Sequence, residues 1–401
     1  MRRAALALTL LAIGGAATLM LARFAGSNLR LRDVDREMQS IVSDAVSRDP
    51  SIRNCVLAVT KGDGSLAWSG AAGIASQQGQ VPMSAHTPIY IASVTKLYTA
   101  TVIMHLFEKG SLSLEDPMGK YVSEKLIRGI NLYAGKDYSS EITIAELLSQ
   151  RSGIADYYTE KAKDGKSLAE LLRENPERSW SVEETIARAR DELKPKFRPG
   201  TDVFYSDTNY QLLGKVIEAV SGKPLYVVYE DLLFRPLRLE HTWLIGHRSP
   251  QLGASDAPAD VFYGNINITQ SRANRAYWAD GGIVSTAQDM TVFLKALRQG
   301  RIIRQETLKL MHQWHGLDFF MQYGFGTMHF NPPWLIRKAI GLRPLWGHSG
   351  STGSFLYYSE DLDIYMAGTI DQTEAARGPF FMMLRVMRAI EPTDERKPNP
   401  Q

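Results

Sequence analysis

Cysteine is almost missing from this chain. One residue, Cys55, stands among 401, so no intrachain disulfide can form and no cysteine-rich metal site can be built. Its setting, "NCVLAVT", reads as a buried strand in which a lone thiol packs as a small hydrophobe. Excess charge is missing too. Basic residues number 46 against 43 acidic, and Arg2, Arg3 and Arg23 account for the whole surplus. The balanced remainder offers no basic footprint for nucleic acid. Also absent are a G-x-S-x-G elbow, an H-E-x-x-H helix and a glycine-rich phosphate loop after a strand. Their absence removes the commonest rival hydrolase and nucleotide-binding readings. Nothing in the residues calls for a cofactor or a metal. "HQWH" could set His312 and His315 on one helix face, but no third ligand accompanies them.

Long apolar runs are scarce as well, with one exception. Residues 4–22 carry no charge and follow Arg2 and Arg3, the layout of an export signal and long enough to reach across a bilayer. No Ala-x-Ala site precedes Arg23, so residues 1–25 read as a signal peptide or as a retained anchor with its arginines inside. Either implies a periplasmic or extracellular body, with membrane contact only through that segment. No cysteine follows the run, which excludes a lipid anchor there.

The body, residues 33–390, reads as one domain in two kinds of sequence. Strand patterns occupy 33–110 and 271–390. "CVLAVT", the turn "KGDG" and "SLAWSGAAG" form a hairpin signature; "YGFGTMHF", "PLWGHSG", "SFLYYS" and "DIYMAGTI" supply later strands. Residues 111–270 are helical and rich in loops. Thr143 with Glu146 and Ser181 with Glu184 have capping-box spacing, and "NYQLLGKVIEAVSG" is an amphipathic helix stopped at Gly222. Ser285 and Gln288 predict a further box, and a last helix is expected over about 374–390. The polar tail, 391–401, reads as disordered. Strands at both ends with helices between predict an α+β fold, in which both chain ends share one antiparallel sheet and a helical part is inserted.

Three short stretches carry chemistry. In "YIASVTKLYTATVIMHL" Ser93 and Lys96 stand three apart at the start of an apolar helix, on the same side. It is the only S-x-x-K in the chain, where chance alone supplies roughly one or two. Exposed N–H groups at a helix start favour an oxyanion; the plain alternative is a capping serine with a lysine reaching to solvent. In "FRPGTDVFYSDTNYQLLG", Tyr205-Ser206-Asp207 lies between a Pro-Gly turn and a helix, either as loop-mounted catalytic groups or as a helix cap. In "LWGHSGSTGSFLYY", His348-Ser349-Gly350 ends one strand, and glycine there allows close approach of another backbone or a substrate.

Together, in this order, the three stretches resemble the serine β-lactamase and penicillin-recognising family, in the class C-like branch. "ITIAELLSQRSGIADYY", "FRPLRLEHT" and "DGGIVSTAQDM" support the likeness, which runs over roughly 35–390. The resemblance implies a β-lactamase/transpeptidase-like fold and a serine hydrolase acting on a small-molecule or peptide substrate without a cofactor. By position, Ser93 matches the acylating nucleophile, Lys96 the lysine that helps deprotonate it, and Tyr205 a proton relay. His348 and Gly350 would edge the site, and the N–H groups of Ser93 and Ser351 would hold the oxyanion. Lysine and tyrosine, ordinarily near ~10.4 and ~10, each need a lowered pKa to act as a base at neutral pH. Desolvation would lower Lys96, and a Lys96 cation would lower Tyr205.

Two departures from that family pattern bear on substrate. Asp207 stands where an asparagine is usual, so an acceptor with negative charge replaces an amide donor. It would favour the Lys96 ammonium, or attract a substrate amine, or face away as a cap. His348 replaces a lysine, so a permanent cation for a substrate carboxylate is missing. An ester or amide hydrolase with a less anionic substrate is the first expectation. A D,D-carboxypeptidase, D-aminopeptidase or β-lactamase is the alternative, and a non-catalytic binding protein of the same fold is the third.

Overall fold

A computed structural model describes residues 34–247 and 257–391, apart from 319, 336, 338–340 and 376. The leader at 1–25 and the tail at 392–401 lie outside the described residues. Both halves of the strand-patterned sequence enter one antiparallel sheet. The first half supplies β1 (Asn54–Lys61), β2 (Ala67–Ser76) and β3 (Val81–Pro82). The second supplies β4 (His315–Gly316), β5 (Met321–Tyr323), β6 (Met328–Phe330), β7 (Leu345–Ser349), β8 (Phe355–Ser359) and β9 (Ile364–Thr369). Their order is β4-β5-β6-β7-β8-β9-β1-β2-β3. The seam is β1 against β9, with Val56 opposite Thr369 and Lys61 opposite Ile364.

Alternation along β1 explains why the sheet is covered on both sides. Successive side chains point to opposite faces: Val56 and Ala58 enter one apolar cluster, while Cys55, Leu57 and Val59 enter another. The second cluster is roofed by α1 (Val34–Arg48) and the C-terminal helix. The first joins the sheet to α2 (Thr95–Glu108), α3 (Asp207–Ser221) and α4 (Ala287–Arg298). Each fully buried Val or Leu contributes about 1.5–3 kcal/mol, so both faces matter to stability. Helix α2 is buried on nearly every side, the behaviour of a helix apolar all round. The C-terminal helix, α5, runs over Gly378–Ile390 and starts four residues later than the periodicity predicts.

Several local expectations shift. The boxes at Thr143–Glu146 and Ser181–Glu184 are both formed. The Ser285–Gln288 box is not: Ser285 ends a strand, and Thr286 caps α4 by accepting from Asp289 N–H. "YGFGTMHF" is two strands rather than one, because Gly326 takes a left-handed turn (φ 66°) between β5 and β6. His312 and His315 share no helix face. The helix ends at Met311, His312 stacks on Trp314, and His315 belongs to β4. Among the described residues no cluster could hold a metal ion.

Candidate active site

A short three-stranded sheet, ordered Ile89–Tyr90, Ile283–Ser285, Trp243–Leu244, sets the turn that carries Ser93. Ile91 N–H donates to Ile283 O at 3.1 Å, and Ile283 N–H returns to Thr95 Oγ1 at 3.0 Å. Between them the chain turns tightly through Ala92 and a single 3₁₀ turn, Ala92–Val94, that runs into α2. Ala92 has φ 45°, a left-handed conformation uncommon outside glycine and often found where function over-determines the backbone. This turn carries Ser93 to the wall of a cavity.

From the other side the end of β7 presses against the same turn. Ser354 Oγ donates to Ile91 O at 2.7 Å, and Thr352 Oγ1 to Tyr90 O at 2.9 Å. Gly350 lies so close that an added Cβ would sit 2.2 Å from Ser354 Oγ and 2.6 Å from Ile91 O. Only glycine permits that approach. Ser351, one residue on, lines the cavity together with Ser93.

Lys96, one turn into α2, is completely buried. Its ammonium donates to Ser93 Oγ at 2.9 Å and to the main-chain oxygen of Asp280 at 2.7 Å, and pairs with Asp207 Oδ1 at 2.5 Å. Burial alone lowers its pKa, but the carboxylates of Asp207 and Asp280 outweigh burial and hold Lys96 above the ordinary lysine value. The expectation of a lysine lowered by desolvation therefore gives way to the alternative in which Asp207 favours the ammonium. Asp207 is not a helix cap. Ser206 takes the N-cap position without a side-chain cap bond, spending its hydroxyl on Ala155 O at 3.0 Å.

Tyr205 shares a hydrogen bond with Ser93, and its ring centroid lies 5.2 Å from Lys96 Nζ. It was expected to be lowered by the lysine. Instead burial, and then the Asp207 charge, hold its phenol well above the ordinary value, and the Ser93 bond does not cancel them. Tyr205 is a neutral hydroxyl at rest.

His348 departs from its expected place at the rim. It is fully buried behind Tyr205, at 6.3 Å between rings. Nε2 lies 3.1 Å from the Tyr323 hydroxyl and Nδ1 2.7 Å from Ser349 O. With its partners a hydroxyl and a carbonyl, the imidazole donates from Nδ1 and accepts at Nε2. Burial, and then the Lys96 charge, depress its pKa to about 3, so it is neutral. The physical reason is β7 itself, whose alternation turns residue 348 inward under β8.

Three groups escaped sequence reasoning. Asp280 bonds Lys96 through its carbonyl, while its carboxylate accepts from the Tyr157 hydroxyl at 2.6 Å and from Trp278 N–H at 3.0 Å. Burial raises it to about 6, against the lowering effect of Lys96. Asp156 accepts from Asp207 N–H at 3.0 Å; burial, reinforced by Asp207, raises it to about 7. Tyr157 ties the two carboxylate neighbourhoods together. The only signals were the phrases "GIADYY" and "DGGIVS", whose importance depends on contacts 51 to 184 residues away in sequence.

The cavity opens to solvent, and with the solvent at its mouth counted it spans about 600 Å³. Ser93, Asp207, Asp280, Gly281 and Ser351 form its polar side, and Tyr158, Tyr277, Ile245, Val261 and Ile268 its apolar wall. Among the described residues no lysine or arginine lines it.

A family model described as Beta-lactamase matches residues 38–379. The chain belongs to the beta-lactamase family. An N-acetylmuramyl-L-alanine amidase of Bacillus subtilis (strain 168) is 28% identical over 300 residues, covering 68% of this chain and 63% of that protein. A D-aminopeptidase of Brucella anthropi is 25% identical, over 74% of this chain and 51% of its own length. This family member thus spans less than two thirds of either relative. Among solved structures, a D-stereospecific amidohydrolase from Streptomyces sp. superposes with a TM-score of 0.72 at 25% identity, covering 89% of this chain and 98% of that one. A D-amino acid amidase from Ochrobactrum anthropi SV3 gives 0.74 at 22% identity over 91% and 100%, a likeness of fold. The β-lactamase/transpeptidase-like architecture expected from the motifs is the one found.

Proposed function

We propose that this chain is an exported serine hydrolase that acylates Ser93 and hydrolyses an ester or an amide. The observation that carries the reading is Lys96 Nζ at 2.9 Å from Ser93 Oγ, beside a cavity open to solvent. At rest Lys96 is an ammonium and cannot accept a proton. Its pairing with Asp207 supplies the way out. One ammonium proton passes to the Asp207 carboxylate, and Lys96 takes the proton of Ser93 as Oγ attacks the carbonyl carbon. The first transfer leaves the pair neutral, and the Ser93 proton then gives it one positive charge beside the developing oxyanion. The N–H groups of Ser93 and Ser351 serve the developing oxyanion. As the tetrahedral species collapses, Tyr205 protonates the leaving group, Lys96 reprotonates Tyr205, and Asp207 returns its proton to Lys96. Water then attacks the acyl-enzyme, its proton following the same route back to Ser93.

Substrate follows from charge. Among the described residues no cation lines the cavity, and His348 is neutral and buried, so a substrate carboxylate meets no charged partner among them. Asp207, which lines the cavity together with Asp280, suits an amine instead. This favours a second, finer reading, hydrolysis of an amide or peptide bond next to a free amino group, in line with the D-aminopeptidase and amidohydrolase relatives. An apolar side chain would lie on Tyr158 and Tyr277. Export rests on residues 4–22.

Intact-mass spectrometry tests the acyl-enzyme directly. The full chain is exposed to p-nitrophenyl acetate, D- and L-phenylalanine amides and a cephalosporin. Adducts confined to Ser93, absent in Ser93→Ala, are expected with the ester and with the amides. If Ser93→Ala matches wild type in rate on every substrate and no adduct is trapped, the hydrolase reading fails.

A further inference from the structure

Beyond the apolar wall of the cavity stands an arginine that has kept its charge unspent. Arg173 lies near the end of a short helix, Leu168–Glu174. The acids of that helix are taken: Glu170 pairs with Lys161 at 3.3 Å and Glu174 with Lys166 at 2.5 Å. Among the described residues Arg173 has no carboxylate within ion-pair distance. Its guanidinium lies instead over the ring of Tyr263, 3.9 Å from the centroid, a stacking that holds a planar cation in one place.

Contacts on two sides place that cation at the rim of the cavity. Ala169 N–H donates to Tyr158 O at 3.0 Å, and Arg173, four residues on, shares the side of the helix that Ala169 occupies. Tyr158 lines the cavity, and its phenol feels the Arg173 charge. Opposite, Tyr263 belongs to the hairpin of Phe262–Tyr263 with Ile266–Asn267, and the residues flanking that hairpin, Val261 and Ile268, line the cavity too. Arg173 is half-buried: it meets water at the mouth without forming part of the wall.

The site therefore has charges of opposite sign at its two ends. Asp207 and Asp280 stand at the Ser93 end, gathered on Lys96. The rings of Tyr158 and Tyr277 follow, locked together by a hydroxyl–hydroxyl bond of 3.0 Å, and Arg173 stands past them. An acyl group that matches all three carries an ammonium next to the reacting carbonyl, an apolar stem along the rings and a carboxylate at its tip. A carboxylate adjoining the scissile bond would still meet no cation.

We propose that Arg173 is a specificity residue, and that the site prefers aminoacyl groups whose side chain ends in a carboxylate, of the glutamyl kind. The proposal rests on the reading of Asp207 as the partner of a substrate amine, and the test keeps the two apart. Binding is read by calorimetry on the full chain carrying Ser93→Ala, so that no turnover is needed. The probes are the D and L α-amides of glutamate and of glutamine, pairs alike in shape that differ by one charge. In at least one enantiomeric series the glutamate amide should bind about fivefold more tightly, the upper range for an exposed ion pair. Added salt should shrink that preference, Arg173→Gln should abolish it, and Arg173→Lys should retain part of it. Equal binding of the two amides, or no binding of either, would overturn the proposal. So would a preference that persists in Arg173→Gln, or an equal loss for both probes there, the mark of a merely structural residue. Acetylating the amine of both probes should weaken them alike. A glutamate preference kept without any weakening would remove Asp207 as the amine's partner and leave Arg173 in its role.

Discussion

Asp207 Oδ1 lies 2.5 Å from Lys96 Nζ, nearer than Ser93 Oγ at 2.9 Å. The lysine is thus bound first as a cation and only second as a neighbour of the nucleophile. Around this one ammonium stand Asp207 and Asp280, with Asp156 behind Asp207, accepting from its N–H. Each carboxylate that ionises nearby holds the ammonium proton more firmly, as Asp280 does, so hydrolysis should lose rate with pH as Asp280 (about 6) and Asp156 (about 7) give up theirs.

Asp207→Asn should change the shape of that profile. The amide removes the proton acceptor and the charge that raises Lys96, Asp156 and Asp280. The limb between pH 6 and 7 should disappear, and kcat/KM should instead climb at higher pH as Lys96 itself titrates. For substrates with a free amine, KM should rise about tenfold, the equivalent of about 1.4 kcal/mol. Profiles of kcat/KM from pH 5 to 9 on an ester and on an amino-acid amide check both; an unaltered limb removes Asp207 from the mechanism.

Tyr157→Phe should leave the cavity intact while removing the hydroxyl that lowers Asp280. Asp280 then titrates higher, and the falling limb moves to higher pH. A merely structural role for Tyr157 would lower kcat/KM evenly across the profile. KM should hold steady.

Stability should respond to pH with an unusual sign. Asp156 and Asp280 have folded pKa values raised above the ordinary carboxylate value of ~3.9. Between about pH 4 and 7 the folded protein therefore holds protons that the unfolded chain has released. Their contribution is fully present below about pH 4 and is lost as pH rises through 6 and 7. Each such proton tilts stability by up to about 1.4 kcal/mol per pH unit. Chemical denaturation at pH 5 and pH 8 checks this, and Asp156→Ala should flatten the slope. A slope unchanged by that substitution would show that Asp156 carries no proton at pH 5.

Gly350→Ala should damage the site more than its size implies. Its Cβ meets Ser354 Oγ and Ile91 O, so β7 must move off the Ser93 turn. A displacement of order 1 Å costs about 10²-fold in kcat. Gly316→Ala, with nothing within 4 Å of the new atom, is the control and should leave kcat unchanged.

Much of the frame was legible because periodicity is local. Alternation in "CVLAVT" marks β1, and the apolar run after Ser93 marks α2. Ser93, Lys96 and Tyr205 were legible from three ordered motifs and the family resemblance they carry, each stretch alone being ambiguous, and the structure brings all three together with Asp207. What escaped depends on distant partners. Asp280 contributes a main-chain oxygen, which no side-chain pattern reveals. The protonation states also escaped, since they depend on carboxylates from separate segments, Asp207 and Asp280 at Lys96 and Asp156 beside Asp207. His348 was misplaced because a strand end does not announce which side its last residues face.

The pairing of β1 with β9 has a consequence in time. Ser93 and Lys96 lie in the first quarter of the chain, Asp207 near its middle, and Gly350 and Ser351 near its end. The turn carrying Ser93 is clamped by Thr352 and Ser354, and their sheet closes only when β9 finds β1. During synthesis Ser93 is therefore made early and set in place last. A nascent or truncated chain contains Ser93 without the clamp that sets its turn, so on the proposed reading catalysis waits until the sheet has closed.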